Sequence, residues 1–381
     1  MNTNTADTEQ QLLLDAVRRF AKEQILPKAT EIDRTDQFPR ALYQAMGEMG
    51  LFGIALPESA GGSGMSIGTA CLAMEEIACA SGSVGNMFAI PLEAVLLLNE
   101  HGNDYHKSFI PGILNGTVIP ATAVTESDAG SDVASMKTTA IRDGDSYIIN
   151  GSKAWVTFGG VFDYVVVFAK TSREPGHGNI SAFLVEANAL GIVRGRNEEL
   201  LGMHGLEDCQ VTFENVRVPV QARLGEENRA FKMAMVNFNV SRVLMSAMTL
   251  GMARAAFEDS VLYAKNRKQF GGRIFDFQAI QFMLADMSVD ITASRLLIME
   301  AAKLHDQGAS IAKEAAQAKL FTTDMAMKHA TNAIQIHGGA GYSKDFRVER
   351  IFRDVKLPQI YEGTNQIQRI IIARQIDKEM P

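Results

Sequence analysis

The chain has 381 residues, 46% of them hydrophobic, and a formal net charge of -7. That is enough apolar material for a large core spread over two or three domains, and an acidic chain without a long basic run argues against nucleic acid as a main partner. The three cysteines (Cys71, Cys79, Cys209) form no CxxC pair and the seven histidines show no HExxH spacing, so no metal site is expected.

The opening "MNTNTADTEQQ" is polar and slightly acidic, without the layout of a secretion or organelle signal. No apolar run approaches the roughly 20 residues of a membrane span. The expectation is a soluble, cytoplasmic protein with no membrane partner.

Residues 1–118 read as a helical domain. "TEQQLLLDAVRRFAKEQILP" places Leu13, Ala16, Val17, Phe20, Ala21 and Ile25 on one helical face, with Pro27 as punctuation. "PRALYQAMGEMGLFG" and "GTACLAMEEIACASGSVG" continue in that style, and "PESAGGSGMS" between them is a glycine-rich connection. From 119 to 225 the texture is that of a β domain. "SYIINGSKAWVTFG" carries an Asn-Gly pair between β-rich runs and predicts a hairpin there. "YVVVFAK" and "ISAFLVEAN" are candidate strands, as is "CQVTFENVRVP" with Val211, Phe213, Val216 and Val218 apolar.

From 226 to 381 longer helices return. One helix presents Leu250, Ala253, Phe257, Val261 and Ala264, and the next presents Ile280, Leu284, Met287, Ile291, Ser294 and Ile298. A third, rich in alanine, stops at paired glycines, and together they predict a bundle. The fold class expected is α+β: an N-terminal helical domain, a middle β barrel or sandwich, and a C-terminal four-helix bundle.

Several stretches can carry chemistry. "TAVTESDAGSDVASMKTTA" offers hydroxyls and free N–H groups to a flat heterocycle or a phosphate, or is a plain polar loop. "NGSKAWVTFGG" holds the only tryptophan, Trp155; strand alternation puts it beside Thr157, an indole and a hydroxyl that suit a ring system. "KNRKQFGGRIFD" has four cations from Lys265 to Arg273, either a solvated helix end or a pyrophosphate site. Arg242 lies among apolar residues and is paired internally or directed at a ligand. The glycines of "QIHGGAGY" allow close backbone approach. In "PQIYEGTNQIQR", Glu362 follows a neutral approach and precedes a helix start; spacing alone leaves it a cap acid or a base.

"AVTESDAGSD", "AWVT", "RKQFG", "QIHGGAGY" and "IYEGTNQIQR", in that order and across essentially the whole chain, resemble the motifs of the acyl-CoA dehydrogenase flavoprotein family of short-, medium- and branched-chain type. The resemblance implies FAD as cofactor, an acyl-CoA substrate oxidised to the trans-2-enoyl-CoA, an electron-transferring flavoprotein as acceptor, and a homotetramer built as a dimer of dimers. It implies flavin contacts from Val124, Thr125, Trp155, Val156 and Thr157, and phosphate or thioester-arm contacts from Ser131. Arg267, Phe270, Gln278, Gln335, Gly338 and Gly339 would reach the FAD of a neighbouring subunit. Thr364 and Asn365 would meet the pyrophosphate at a helix N-terminus, and Asn239 and Arg242 would border the CoA.

By the same resemblance Glu362 is the base that takes the α-proton, with Gly363 beside the thioester. The alternative base position seen in some relatives is Ser241 here, and serine cannot act unaided. Ser127-Asp128 replace the usual proline-containing turn, which puts contacts from that loop in doubt. Alternatives within the fold are an oxidase, a reductase running in reverse, an eliminating enzyme, or a flavin-loaded assembly subunit without turnover. "SGSVGNMFAIPLEAVLLL" is expected to line the acyl pocket; it lacks arginine, which points to a short, branched or medium monocarboxylic chain, and Glu93 within it restricts the pocket or faces away.

Overall fold

The computed structural model describes residues 3–174, 176 and 178–380. α1 (Thr3–Phe20) runs into a π-helical turn (Ala21–Ile25). It is followed by α2 (Ala29–Thr35), α3 (Arg40–Glu48), α4 (Ile67–Ala80), α5 (Gly82–His101), α6 (Asp104–Lys107) and α7 (Ile110–Leu114). The buried stripe at the start is Leu14, Val17, Ala21 and Ile25, while Ala16 is exposed. The apolar stripe is thus turned by one position from the face read in the sequence, so that the larger Leu14 meets the core.

α4 and α5 share Ser81, which ends one helix and caps the other by accepting from the Val84 N–H. α5 is apolar on most sides and, by length and composition alone, long enough to cross a membrane, which the sequence reading had not found. Most of it is buried within the protein, with Val84, Met87, Phe88, Leu92, Val95 and Leu98 inaccessible, as suits the central helix of a large core.

The middle of the chain forms one sheet from β1 (Pro120–Ala123), β2 (Thr139–Asp143), β3 (Ser146–Val156), β4 (Tyr164–Lys170), β5 (Ile180–Glu186), β6 (Ile192–Asn197), β7 (Cys209–Pro219) and β8 (Arg223–Leu224). The order is β6-β7-β3-β2-β4-β5-β8, with β1 parallel to β4. The hairpin expected at Asn150-Gly151 is not there. β3 runs straight through it, and the pair marks a register shift against β7. At Gly151, with φ 149°, a Cβ would lie 2.4 Å from Thr138 Oγ1, so glycine serves close approach rather than reversal. The true hairpin joins β2 and β3 through Gly144-Asp145, with Gly144 at φ 60°. β7 keeps its alternation only across a positive-φ residue, Asn215, which is why Phe213 and Val216 face the same core. β6 was not anticipated; five of its six residues are exposed, so it lacks an apolar pattern.

α8 (Ala230–Asn266) is followed by the small ribbon β9 (Lys268–Gln269) and β10 (Gly272–Arg273). Then come α9 (Gln278–Asp306), α10 (Ala312–His337), α11 (Val348–Asp354) and α12 (Asn365–Glu379). Leu284, Met287, Ile291, Ser294 and Ile298 of α9 are buried, the face that the helical period requires. One core cluster joins all three regions, from Phe52 and Met87 through Val165 and Phe213 to Met248 and Ala326.

Charged groups also cross between the regions. Asp33 on α2 pairs with Arg353 on α11 at 2.7 Å and with His204 at 3.0 Å. Both His204 ring nitrogens face oxygens, Asp33 O at 2.8 Å and Leu200 O at 3.0 Å, and the Asp33 carboxylate holds the imidazolium up to about 9. A raised folded-state pKa stabilises below the unfolded value and loses that contribution as pH rises through the folded one. His204→Gln is therefore expected to be less stable than wild type at pH 6 by roughly 2–3 kcal/mol, with the gap closing above pH 9. Urea denaturation across that range measures it; a gap independent of pH would contradict the pairing.

Candidate active site

The site is built on the segment Tyr361–Asn365 between α11 and α12. Glu362 and Gly363 both have positive φ, 55° and 82°. That conformation is easy for glycine but costs about 1–2 kcal/mol for glutamate, so something must hold it. The Glu362 carbonyl accepts from Arg242 Nε at 3.1 Å and from Gln368 Nε2 at 3.1 Å. The Gly363 carbonyl accepts from Lys319 Nζ at 2.9 Å and again from Gln368 Nε2 at 2.6 Å. Thr364 caps α12 by accepting from the Ile367 N–H. The Asn365 side chain turns inward, donating to Thr323 and Asp324 and accepting from Lys319. With its amide held inside the bundle, it has only its backbone to offer a phosphate.

Arg242 is 4% exposed and gives its Nε to the Glu362 carbonyl and its Nη1 to Asn239 Oδ1 at 2.8 Å. It supports the loop that carries the acid. The neutral approach "PQIY" does not isolate Glu362 from charge, because Arg242 and Lys319 come in from α8 and α10. Periodicity marks both as breaks in apolar helices, but a break does not name its partner.

Glu362 is half-buried as a residue, while its Oε2 is shut off from solvent and has no hydrogen-bond partner. Burial pushes its carboxyl above the ordinary range, and Arg242, Ser241 and Lys319 oppose that. Lys319, fully buried, is pushed down to about 7 by the same desolvation. An acid with raised proton affinity, an unpartnered oxygen and a pinned backbone is equipped to accept a proton. Lys319→Met leaves two oxygens short of a donor. It is expected to lower stability by roughly 2 kcal/mol and to loosen the loop; thermal denaturation with flavin content checks both.

A second group of predicted residues lies on the sheet. Trp155 is 59% exposed, with φ 57°, in the register shift between Lys153 and Val156 against β7. The bulge, rather than regular alternation, therefore turns the indole outward; Val156 is buried and Thr157 half-buried. The loop with Val124 and Thr125 lies next to it, since Thr125 O accepts from the Ala154 N–H at 2.9 Å and Val124 O from Lys153 Nζ at 2.9 Å. Thr157 donates its hydroxyl to Asp208 at 2.7 Å, so its oxygen is left as an acceptor. A half-exposed indole beside this loop and a threonine oxygen fits the flat ring of a flavin.

Below that loop, Glu126 accepts from the N–H groups of Lys137 and Thr138 and from Lys153 Nζ at 2.9 Å. The turn Glu126–Ala129 closes on itself despite lacking a proline, through paired backbone bonds of 3.0 Å. Asp128 points outward and pairs with Lys137 at 2.7 Å, and Ser131 is exposed.

The remaining predicted residues lie elsewhere. Arg267, Phe270, Gln278, Gln335, Gly338 and Gly339 are exposed, Phe270 at 96%. In the chain they flank the residues of a small cluster, Ala264, Ile274, Leu284, Met287 and Ile336, at the Arg267 end of α8. Along α8, Arg242 and Arg267 are separated by about 37 Å, and along α10 Lys319 and Gln335 by about 24 Å. This group therefore stands far along both helices from the residues that hold the Glu362 loop. Asp208, Glu126, Lys153, Lys319 and Gln368 were not singled out from the sequence; their only signal was a polar residue inside an apolar pattern. Two surface cavities, about 520 and 730 Å³, are lined by neither Glu362 nor Trp155.

The chain is similar to known proteins over nearly its whole length. The family model "Acyl-CoA dehydrogenase, N-terminal domain" matches residues 7–117, "Acyl-CoA dehydrogenase, middle domain" 121–216, and "Acyl-CoA dehydrogenase, C-terminal domain" 228–376. An acyl-CoA dehydrogenase of Bacillus subtilis (strain 168) is 43% identical over 96% of this chain and 97% of its own. The CarC subunit of the caffeyl-CoA reductase–Etf complex of Acetobacterium woodii is 37% identical over 97% of this chain and 99% of its own. The solved butyryl-CoA dehydrogenase of Megasphaera elsdenii superposes with a TM-score of 0.94 at 34% identity, covering 96% of this chain and 97% of that one.

Proposed function

Because the chain belongs to the acyl-CoA dehydrogenase family of FAD-dependent oxidoreductases, we propose that it removes the α-proton and β-hydride of an acyl-CoA thioester, with Glu362 as the base. The observation that carries this reading is the Glu362 carboxyl itself: an unpartnered oxygen shut off from solvent, on a loop held at positive φ by Arg242, Lys319 and Gln368.

FAD, when bound, supplies the acceptor for the β-hydride. Val124, Thr125, Trp155, Val156 and Thr157 hold its ring, Ser131 its phosphates or the CoA arm, and Thr364 with the backbone of Asn365 its pyrophosphate. Asn239 and Gly363 border the substrate. The other end of the bundle, with Arg267, Phe270, Gln278, Gln335, Gly338 and Gly339, serves the cofactor of a neighbouring copy in a homotetramer; the separation along α8 and α10 supports that assignment.

Glu362 takes the α-proton as the thioester enters. Apolar surroundings make the carboxylate a stronger base, and Arg242 and Lys319 keep enough positive charge nearby for it to ionise at all. α5, which presents Glu93 and no arginine, supports a short, branched or medium monocarboxylic chain. The Etf complex of the Acetobacterium woodii relative supports an electron-transferring flavoprotein as acceptor. The free cysteines among the described residues are consistent with the cytoplasm.

The same relative is named a reductase, so the reverse direction is the second reading. Anaerobic titration with a panel of acyl-CoA thioesters decides between them. Bleaching of the flavin supports dehydrogenation, and reoxidation of reduced flavin by enoyl-CoA alone would support reduction. Neither, with any member of the panel, would overturn the assignment.

A further inference from the structure

The reaction as proposed leaves one acid near Glu362 unused. Glu93, on α5, has its Oε1 shut off from solvent and without a hydrogen-bond partner. Glu362 Oε2 and Ser241 Oγ share that condition, and Ser241 is fully buried. The Ser241 hydroxyl lies in polar contact with both carboxyls, although neither contact has full hydrogen-bond geometry. Catalytic hydrogen bonds are often loose before substrate closes the slot. Glu93, Ser241 and Glu362 thus come from three separate elements and meet at one place.

Two ionised carboxylates separated by one hydroxyl in an apolar slot repel each other, so the pair retains a proton. The charged groups around it decide where. Arg242 and Lys319 act on Glu362 and favour its ionised form. Among the described residues no cation offsets this at Glu93, which burial and the charge of Glu362 push well above its ordinary range. Tyr361 is neutral and donates to Met245 Sδ at 2.9 Å. Glu93 is therefore the neutral acid and Glu362 the carboxylate. A serine hydroxyl has one proton to give and an oxygen that accepts. Between an acid and a carboxylate it has one consistent orientation.

Resting on Glu362 as the base, we propose that Glu93 is a positioning residue. As a neutral acid it donates to Ser241, which donates to Glu362 and holds the base ionised and aimed before the α-proton is taken. Linked donors of this kind strengthen one another. No proton travels along the chain: the substrate's proton ends on Glu362, and Glu93 and Ser241 keep their own. The serine that cannot replace the base acquires a role, and so does an acid in an otherwise apolar helix.

The test is the pH dependence of single-turnover flavin reduction by acyl-CoA in holoenzyme carrying Ser241→Ala, Glu93→Met or Glu93→Gln. Loss of the donor raises the proton affinity of Glu362. The acid limb should move to higher pH by about one unit in Ser241→Ala, a roughly tenfold rate loss on that limb, and part of that way in Glu93→Met, where Ser241 loses the acid that orients and polarises it. Glu93→Gln, whose amide still donates, should keep the wild-type limb. A merely structural role would lower the plateau without moving the limb.

The proposal is overturned if Ser241→Ala and Glu93→Met keep the wild-type limb. It is also overturned if removing Glu93 moves the limb to lower pH, as repulsion by an ionised Glu93 would require. If Glu93→Met does not retain flavin, Glu93→Leu takes its place in the comparison. If wild-type flavin is reduced by no acyl-CoA, the assignment of Glu362 as base has failed first, and this proposal falls with it.

Discussion

Replacing Glu362 with glutamine is expected to leave FAD bound and to lower turnover by about three orders of magnitude, the range that general-base catalysis contributes. The amide keeps the shape of the carboxyl and the carbonyl that Arg242 and Gln368 grip, so the loop should hold. It has no lone pair of sufficient basicity. Stability should move the other way. Burial raises the carboxyl of Glu362 in the folded protein, so between its unfolded and folded pKa the native state binds more protons than the unfolded one. Stability then falls as pH rises through that window, and the deficit persists above it. Glutamine removes the deficit. Glu362→Gln should melt at or above the wild-type temperature at pH 8 and converge with it near pH 4. A variant that keeps turnover within tenfold, measured by acyl-CoA-dependent dye reduction, would show that another group is the base.

Glu126→Ala is expected to be the most damaging change to stability near the candidate flavin face, costing about 3–5 kcal/mol. Lys153 is fully buried, and its ammonium has Glu126 Oε1 and Val124 O as its close oxygen partners, both at 2.9 Å. Without Glu126 a buried cation is left uncompensated, and the N–H groups of Lys137 and Thr138 lose their acceptor. Burial already lowers Lys153 to about 8. Removing the carboxylate lowers it further, so the variant must shed a proton to fold near neutrality. Its deficit relative to wild type should therefore shrink as pH rises toward about 8, where wild-type Lys153 also loses its proton, and level off above that.

The double variant Glu126→Leu/Lys153→Met should recover part of the loss, since two apolar groups of similar volume avoid an isolated buried charge. The backbone N–H groups remain unanswered, so recovery stays incomplete. Urea denaturation of wild type, Glu126→Leu, Lys153→Met and the double variant gives the coupling energy. A double variant as weak as the single one would mean that the backbone bonds, rather than the ion pair, carry the stability.

The sequence carried the helical and strand regions well because burial leaves a periodic mark. The buried residues of α9 follow the pattern read for them, and β4 and β5 coincide with short β-branched runs. Errors arose where that mark is ambiguous. Asn150-Gly151 has turn chemistry, yet glycine was there because Thr138 approaches within a Cβ's reach. β6 has too few buried residues to announce itself. Ala16 fits a helical face by spacing but is displaced from the core by Leu14.

By itself, the amino-acid sequence determined the element types, the order of the three regions and the short motifs, because these depend on local propensity and on repeats of two or 3.6 residues. It also made Glu362 conspicuous, as one acid between a tyrosine and a glycine. Only the tertiary structure decided what surrounds that acid. Arg242, Lys319 and Gln368 converge on its loop from three helices, and Glu93 and Ser241 approach its carboxyl from two. The charge on a carboxyl depends on burial and on neighbours a few ångströms away. Chain separation does not encode those neighbours: Glu93 and Glu362 lie on distant segments, and packing of α5 against the bundle brings them together.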